Sequence, residues 1–197
     1  MLTALKRFLG VKPAVCLAGV PSGPFQGIGC VMISDVTSFS GVSAPVAPAQ
    51  LIQLTADILE RQHEIIALQS GFVEQFVGVS TIAYWEPAEP SLLASKALAA
   101  ACEIVAVTST SGKFTCGFKV GFAVADCAKA LFGRGTTFRF QVVGRARSRA
   151  EAACKSLTTR PGIAIDADTL ALLSAHDRDQ FQIGNAENYV LRQNPSA

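Results

Sequence analysis

The order in which hydrophobic periods follow one another constrains this chain most. "QGIGCVMISD" (residues 26–35) is a short apolar run opened by glycines and reads as a buried strand. After a small-polar turn, Leu51, Leu54, Ile58, Ile65 and Leu68 keep helical spacing. Pro48 stands near the start of that helix and Gly71 just past its end. "GFVEQFVG" and "STIAYWEP" then read as two strands joined at Gly78, a hairpin. Pro90 opens a second helix, alanine-rich and therefore able to pack closely.

Next come a long strand "FTCGFKVGFAVAD", a glycine-bearing loop and a strand "TTFRFQVVG". "RARSRAEAACKSL" predicts a third helix and "GIAID" a strand. Asp166 is placed to cap a helix "ADTLALLSA", and "NYVLRQ" predicts a last strand. The predicted order is β-α-β-β-α-β-β-α-β-α-β. Helices between strands, with two tight hairpins among them, predict an α+β fold: a ferredoxin-like mixed sheet with packed helices rather than a doubly wound parallel sheet. No internal repeat or low-complexity segment interrupts the order.

The 197 residues suit one domain with a real core, and 50% hydrophobic positions exclude disorder. Only 16% are charged, against about 25% for a typical globular chain. The net charge of +2 is unevenly spread. Residues 133–160 hold seven basic side chains and one acidic, leaving ten basic and fourteen acidic elsewhere. Such a stretch is either a solvated helix face or a surface for an anion, a nucleic acid or an acidic partner.

The six cysteines form no C-x-x-C pair and most sit in apolar surroundings, which fits reduced, packed thiols of a cytoplasmic protein rather than a disulfide frame or a zinc site. With two histidines, a histidine-rich metal centre has no ligands. No segment reaches the roughly 18 consecutive apolar residues of a membrane span. Residues 1–27 carry Lys6 and Arg7 before an apolar run that Lys12-Pro13 interrupts, with no cleavage site after it. They read as a short amphipathic helix and linker, with residues 1–20 open to contact with a membrane surface or a partner. The folded domain is expected over residues 28–197.

Five stretches together resemble the catalytic domain of class III adenylate and guanylate cyclases, over residues 29–192. They are "SDVTSFS", "GFVEQFVGVSTIAYW", "KVGFAVADCAKALFGRG", "FQVVGRARSRAEAACKSL" and "PGIAIDADTLALL", in the family's order and spacing. The resemblance implies a site at a dimer interface. In such a site two carboxylates hold two divalent cations, a lysine and an aspartate read the purine, an asparagine orients the ribose, and an arginine stabilises the transition state.

Position by position, this chain keeps one of these groups. Asp35 matches the first metal carboxylate, and the second falls on Val79. The base-reading lysine falls on Gln75 and the aspartate on Arg145. The asparagine falls on Ser148 and the transition-state arginine on Ala152. A lone carboxylate is a poor magnesium site. The alternative role for Asp35 is to cap the turn that follows it.

The resemblance therefore implies a catalytically inactive cyclase-like domain without a cofactor, acting as a dimerising, regulatory or docking module. It would form a homodimer, or a heterodimer with a related domain. A divalent cation at Asp35 is the one metal the sequence leaves open. One alternative is a divergent cyclase or other phosphate-ligand enzyme using Asp35, Glu74 or Asp126, and the cluster Arg145, Arg147 and Arg149. Another is an anion- or nucleic-acid-binding module built on that cluster. The aromatic residues Phe39, Trp85, Phe138 and Phe140 are expected in the core or at an interface.

Overall fold

A computed structural model describes residues 24–37, 47–107, 109–111, 114–134, 137–184 and 188–191. The expected N-terminal helix and the turn after Asp35, Phe39 included, lie outside the described residues.

Among the described residues, ten strands and five helices follow one another. Strand β1 (Phe25–Val36) leads to helix α1 (Pro48–Leu68), then to the hairpin β2 (Phe72–Val77) and β3 (Ser80–Trp85). Helix α2 (Pro90–Ala106) follows, then a small hairpin, β4 (Ser109–Ser111) and β5 (Phe114–Cys116). The long β6 (Phe118–Arg134) turns back into β7 (Thr137–Gly144), which runs straight into helix α3 (Arg145–Ser156). Strand β8 (Gly162–Asp166), short helices α4 (Ala167–Ala171) and α5 (Ala175–Arg178), and strands β9 (Phe181–Ile183) and β10 (Asn188–Leu191) complete the chain.

The main sheet runs β2-β3-β1-β6-β8-β10-β9, with β7 also paired to β6. All pairings are antiparallel except β6 with β8. This is the mixed α+β sheet that the period changes predict.

Alternation along β1 divides the core. Cys30, Met32 and Val36 face α1 and α2, joining Ile58, Ile65, Leu93, Ala97 and Ile104 in the larger cluster. Val31 faces the opposite way and meets Ala146 and Ala150 of α3 in a second cluster with Ala123 and Val142. Helix α3 approaches β6 very closely. A Cβ on Gly121 would lie 2.2 Å from the Cys154 amide nitrogen and 2.4 Å from the Ala150 carbonyl oxygen. Only glycine admits the helix there.

Some boundaries differ from the sequence expectation. The strand expected over "FTCGFKVGFAVAD" is broken at Gly117, and its N-terminal part pairs locally as β5 with β4. The stretch after Asp126, expected as loop, continues β6 to Arg134 and pairs with β7 as far as Thr137. Its alanines and glycine carry little strand propensity, and cross-strand pairing overrides that preference. The helix expected over "ADTLALLSA" ends at Ala171, and the chain then makes a second short helix and the edge strand β9. Asp166 caps α4 as expected, accepting from the Thr169 amide at 2.8 Å.

Candidate functional site

Asp35 lies near the end of β1, on the α3 face of the sheet, opposite Lys119 of β6. Its carboxylate is engaged twice across the sheet. Ser80 Oγ donates to one oxygen at 2.6 Å, and Lys119 Nζ lies 3.2 Å from the other. The same ammonium donates to the Thr158 carbonyl oxygen just after α3, at 3.0 Å. Among the described residues these bonds run to neighbouring elements; the turn that Asp35 was expected to cap lies outside the described residues. Register sets the contact: β6 places a lysine beside the carboxylate. At Thr37 it is the backbone amide, with the side chain, that bonds Gly117, at 2.9 and 3.1 Å.

Val79 sits in the turn between β2 and β3, and its side chain packs against the larger core cluster. Its neighbour Ser80 is the residue that reaches Asp35. The start of β3 thus presents a hydroxyl donor to Asp35, next to a turn residue that is not acidic.

The arginines of α3 separate into individual ion pairs. Arg147 Nη1 contacts both oxygens of Glu74, at 2.8 and 3.0 Å, and also donates to the Val142 carbonyl at 3.0 Å. The Glu74 side chain is 1% exposed, so this pair is a buried tie between β2 and α3. Glu74 stands at the register shift of β2, between Val73 and Gln75, which swings it toward the helix. Arg145 pairs with Asp126 on the exposed surface. Arg149 reaches Asp168 at 2.6 Å and Asp166 at 3.3 Å, and the hydrogen bond to Asp168 raises its guanidinium pKa further. The cluster that reads in sequence as anion-binding is spent pairwise on carboxylates of its own chain. Glu74 and Asp126, the acids open to a divergent enzyme, are two of the partners.

Arg145, Ser148 and Ala152 follow helical spacing and form one exposed stripe on α3. Ser148 Oγ bonds back to the Gly144 carbonyl at 3.4 Å. Gln75 lines a groove of about 460 Å³ with Phe76, Tyr84, Phe140 and Val142. Behind that groove lies a feature that charge patterning alone does not reveal. Lys129 is fully buried, 2.7 Å from Glu86 and 3.3 Å from the Tyr84 hydroxyl. Its ammonium also faces the rings of Phe25, Tyr84 and Phe140 at 5.1, 5.2 and 5.4 Å. Burial pushes the Tyr84 phenol far above its ordinary range.

No family model matches the sequence, and no curated protein matches it. Solved structures do match the fold. The adenylyl cyclase CyaB from P. aeruginosa superposes with a TM-score of 0.66 at 16% identity, over 89% of this chain and 98% of that one. A bacterial light-regulated adenylyl cyclase gives 0.70 at 15% identity, over 87% of this chain and 53% of that one. The guanylate cyclase domain of RhGC from Catenaria anguillulae, in complex with GTP, gives 0.67 at 13% identity, over 87% and 98%. The fold is that of a nucleotide cyclase catalytic domain. At these identities the likeness covers architecture, and the chemistry rests on the side chains present.

Those side chains can be tested against the pair of divalent cations that the cyclase resemblance implies. A first cation would meet Asp35, whose charge Lys119 already neutralises at 3.2 Å. A second ligand would come from Val79, which has only hydrocarbon to offer. Among the described residues, no three His, Cys, Asp or Glu side chains converge to hold a metal. Divalent cations need several oxygen ligands, and an ammonium at the site adds repulsion. The residues present do not fit a two-cation cyclase centre.

Ser80 and Lys119 are the functional neighbours that the family comparison leaves unnamed. The signal for Lys119 lies in the sequence: a charged residue in the apolar strand "FKVGF" needs an internal partner. Its partner becomes visible only once β1 and β6 are in register.

Proposed function

We propose that this chain is a catalytically silent cyclase-homology domain that works by binding another protein domain. The observation that supports this reading is the Asp35–Lys119 contact, a protein cation beside the carboxylate that the resemblance matches to the first metal ligand. The ion pairs of Arg145, Arg147 and Arg149 support it, since they occupy the charged groups a divergent phosphate enzyme would use. They argue equally against a nucleic-acid-binding face on α3, because guanidinium groups already paired with carboxylates gain little from phosphate.

The hairpin of β6 and β7 supports the binding role. Leu131 and Phe132 are exposed on β6, and Phe140 and Val143 on β7. Exposed apolar side chains gathered on one hairpin favour a contact surface. Among the matching solved structures is a dimeric guanylyl cyclase domain from Blastocladiella emersonii, and another from the same fungus is monomeric. The occupant we favour is a second copy of this chain or a related domain.

Two measurements test the reading. Purified protein incubated with ATP or GTP and manganese should form no cyclic nucleotide above an Asp35→Ala control. Accumulation that depends on Asp35 overturns the silent assignment. Sedimentation should show self-association or a complex with a related domain, weakened by Leu131→Asp with Phe132→Asp. A monomer that captures no such domain overturns the binding assignment.

A further inference from the structure

A second site lies on the other face of the sheet, between α1, α2 and the start of β6. A cavity of about 250 Å³ is walled by Ile58, Ile65, Ile104 and Phe118. The exposed Asp57 and Arg61 also line it. One wall is polar. Gln62 of α1 is 1% exposed, and among the described residues neither its amide nitrogen nor its amide oxygen has a hydrogen-bond partner. Buried amides are nearly always paired, so one with both ends open calls for a cause. Helical spacing makes the choice of residue pointed: Ile58, Gln62 and Ile65 share the inward stripe, and glutamine takes a position where leucine or isoleucine would complete the core. The polarity extends across the sheet beneath α1. Ser34 of β1 and Thr81 of β3 are register partners on that face, and both hydroxyls are buried without a partner among the described residues.

We propose that this cavity is a binding site for a small uncharged planar heterocycle with a lactam-type edge. A glutamine amide offers one donor and one acceptor side by side. The complementary edge is an adjacent ring N–H and C=O, the geometry by which glutamine engages a base edge in two hydrogen bonds. The isoleucines and Phe118 supply apolar walls for the ring faces, as in other small-molecule sites where few polar groups set orientation. The volume lies just below the about 300–1,000 Å³ of sites for drug-sized ligands, which selects a single ring or a fused pair. The two charged residues that line the cavity, Asp57 and Arg61, are exposed and opposite in sign, which favours a ligand without net charge. The site is independent of the Asp35 network, which lies on the α3 face, and of the reading of this chain as a silent domain.

The test uses the full chain with 2-pyridone and 2-quinolone as probes and N-methyl-2-pyridone as the analogue lacking the donor. Titration followed by calorimetry and by the side-chain amide resonances of Gln62 should show saturable binding of at least one lactam. The Gln62 resonances should shift on binding. The N-methyl analogue and the Gln62→Leu variant should each bind at least tenfold more weakly. Gln62→Leu should also melt above wild type, because it removes an unpaired buried amide. Absence of saturable lactam binding overturns the proposal, and so does equal binding by the N-methyl analogue or by Gln62→Leu. Should Gln62→Leu fail to fold, the wild-type Gln62 resonances decide alone: no shift at saturation of either probe overturns it.

Discussion

The Lys119 ammonium lies 3.2 Å from the Asp35 carboxylate, in direct register across β1 and β6. With Ser80 donating at 2.6 Å, the carboxylate is a structural acceptor shared by three strands. Asp35→Ala is therefore expected to destabilise the fold by about 1.5–3 kcal/mol, the range for hydrogen bonds to charged groups. Asp35→Asn keeps an acceptor for Ser80 and should lose less. A double-mutant cycle with Lys119→Met should show positive coupling in urea denaturation. Manganese should leave the wild-type melting temperature unchanged. A metal-dependent rise that disappears in Asp35→Ala would restore Asp35 as a ligand.

The three arginines of α3 should behave unequally, although they sit two residues apart in sequence. Arg147 meets a Glu74 side chain that is 1% exposed, so Arg147→Ala strands a buried carboxylate and should cost about 3–5 kcal/mol. Replacing the pair together, Glu74→Leu with Arg147→Met, should recover most of that loss. The Arg145–Asp126 pair is mostly exposed on both sides, and Arg145→Ala should change stability by less than about 1 kcal/mol. Chemical denaturation of the variants gives the ranking. Equal effects at Arg145 and Arg147 would contradict the burial difference on which this argument stands.

The contrast between these arginines marks what the sequence could reveal. Period changes along the chain expose strands and helices, because burial on one face leaves a repeating trace. The fold was legible for that reason, down to the Gly78 hairpin and the Asp166 cap. Pairing is written nowhere locally. Arg147 and Glu74 are 73 residues apart, and a bulge in β2 brings them together. In sequence the arginines read as one positive cluster, and only the fold divides them among Glu74, Asp126, Asp166 and Asp168. Likewise, Asp35 shows as an acid ending a strand, while Lys119 shows as a charge inside another. Gln62 was hidden for a different reason: one glutamine in an amphipathic helix passes as surface until the helix is oriented.

Two glycines give a sharp packing test. A methyl group on Gly121 would lie within 2.4 Å of backbone atoms of α3, which no side-chain movement can relieve. Gly121→Ala should cost about 3 kcal/mol, the upper part of the usual overpacking range, by forcing the helix off the sheet. Gly78 has a φ of +63° but open space around its missing side chain. Gly78→Ala should cost only about 1–2 kcal/mol, the conformational penalty alone, and Gly78→Asn less. Urea midpoints measure both. A Gly121→Ala protein as stable as wild type would mean that α3 does not rest on β6 as closely as described.

The buried thiols set the alkaline limit of the fold. Burial raises the pKa of Cys127 and of Cys154 to about 11, against an ordinary 9.0. A group held protonated by folding favours the folded state fully below its unfolded pKa, and that advantage is lost as pH rises through the folded value. Stability should therefore hold up to pH 9 from this source and fall between pH 9 and 11, by up to about 1.4 kcal/mol per pH unit for each thiol. Cys154→Ala and Cys127→Ala should each flatten that fall relative to wild type, whatever tyrosines and lysines contribute in common. Urea denaturation at pH 8, 9, 10 and 11 gives the slopes, and mass spectrometry after maleimide treatment at pH 8 should find Cys154 unmodified in native protein and labelled in urea. A wild-type slope unchanged in both variants, or rapid native labelling of Cys154, would show that these thiols are not sealed beneath α3.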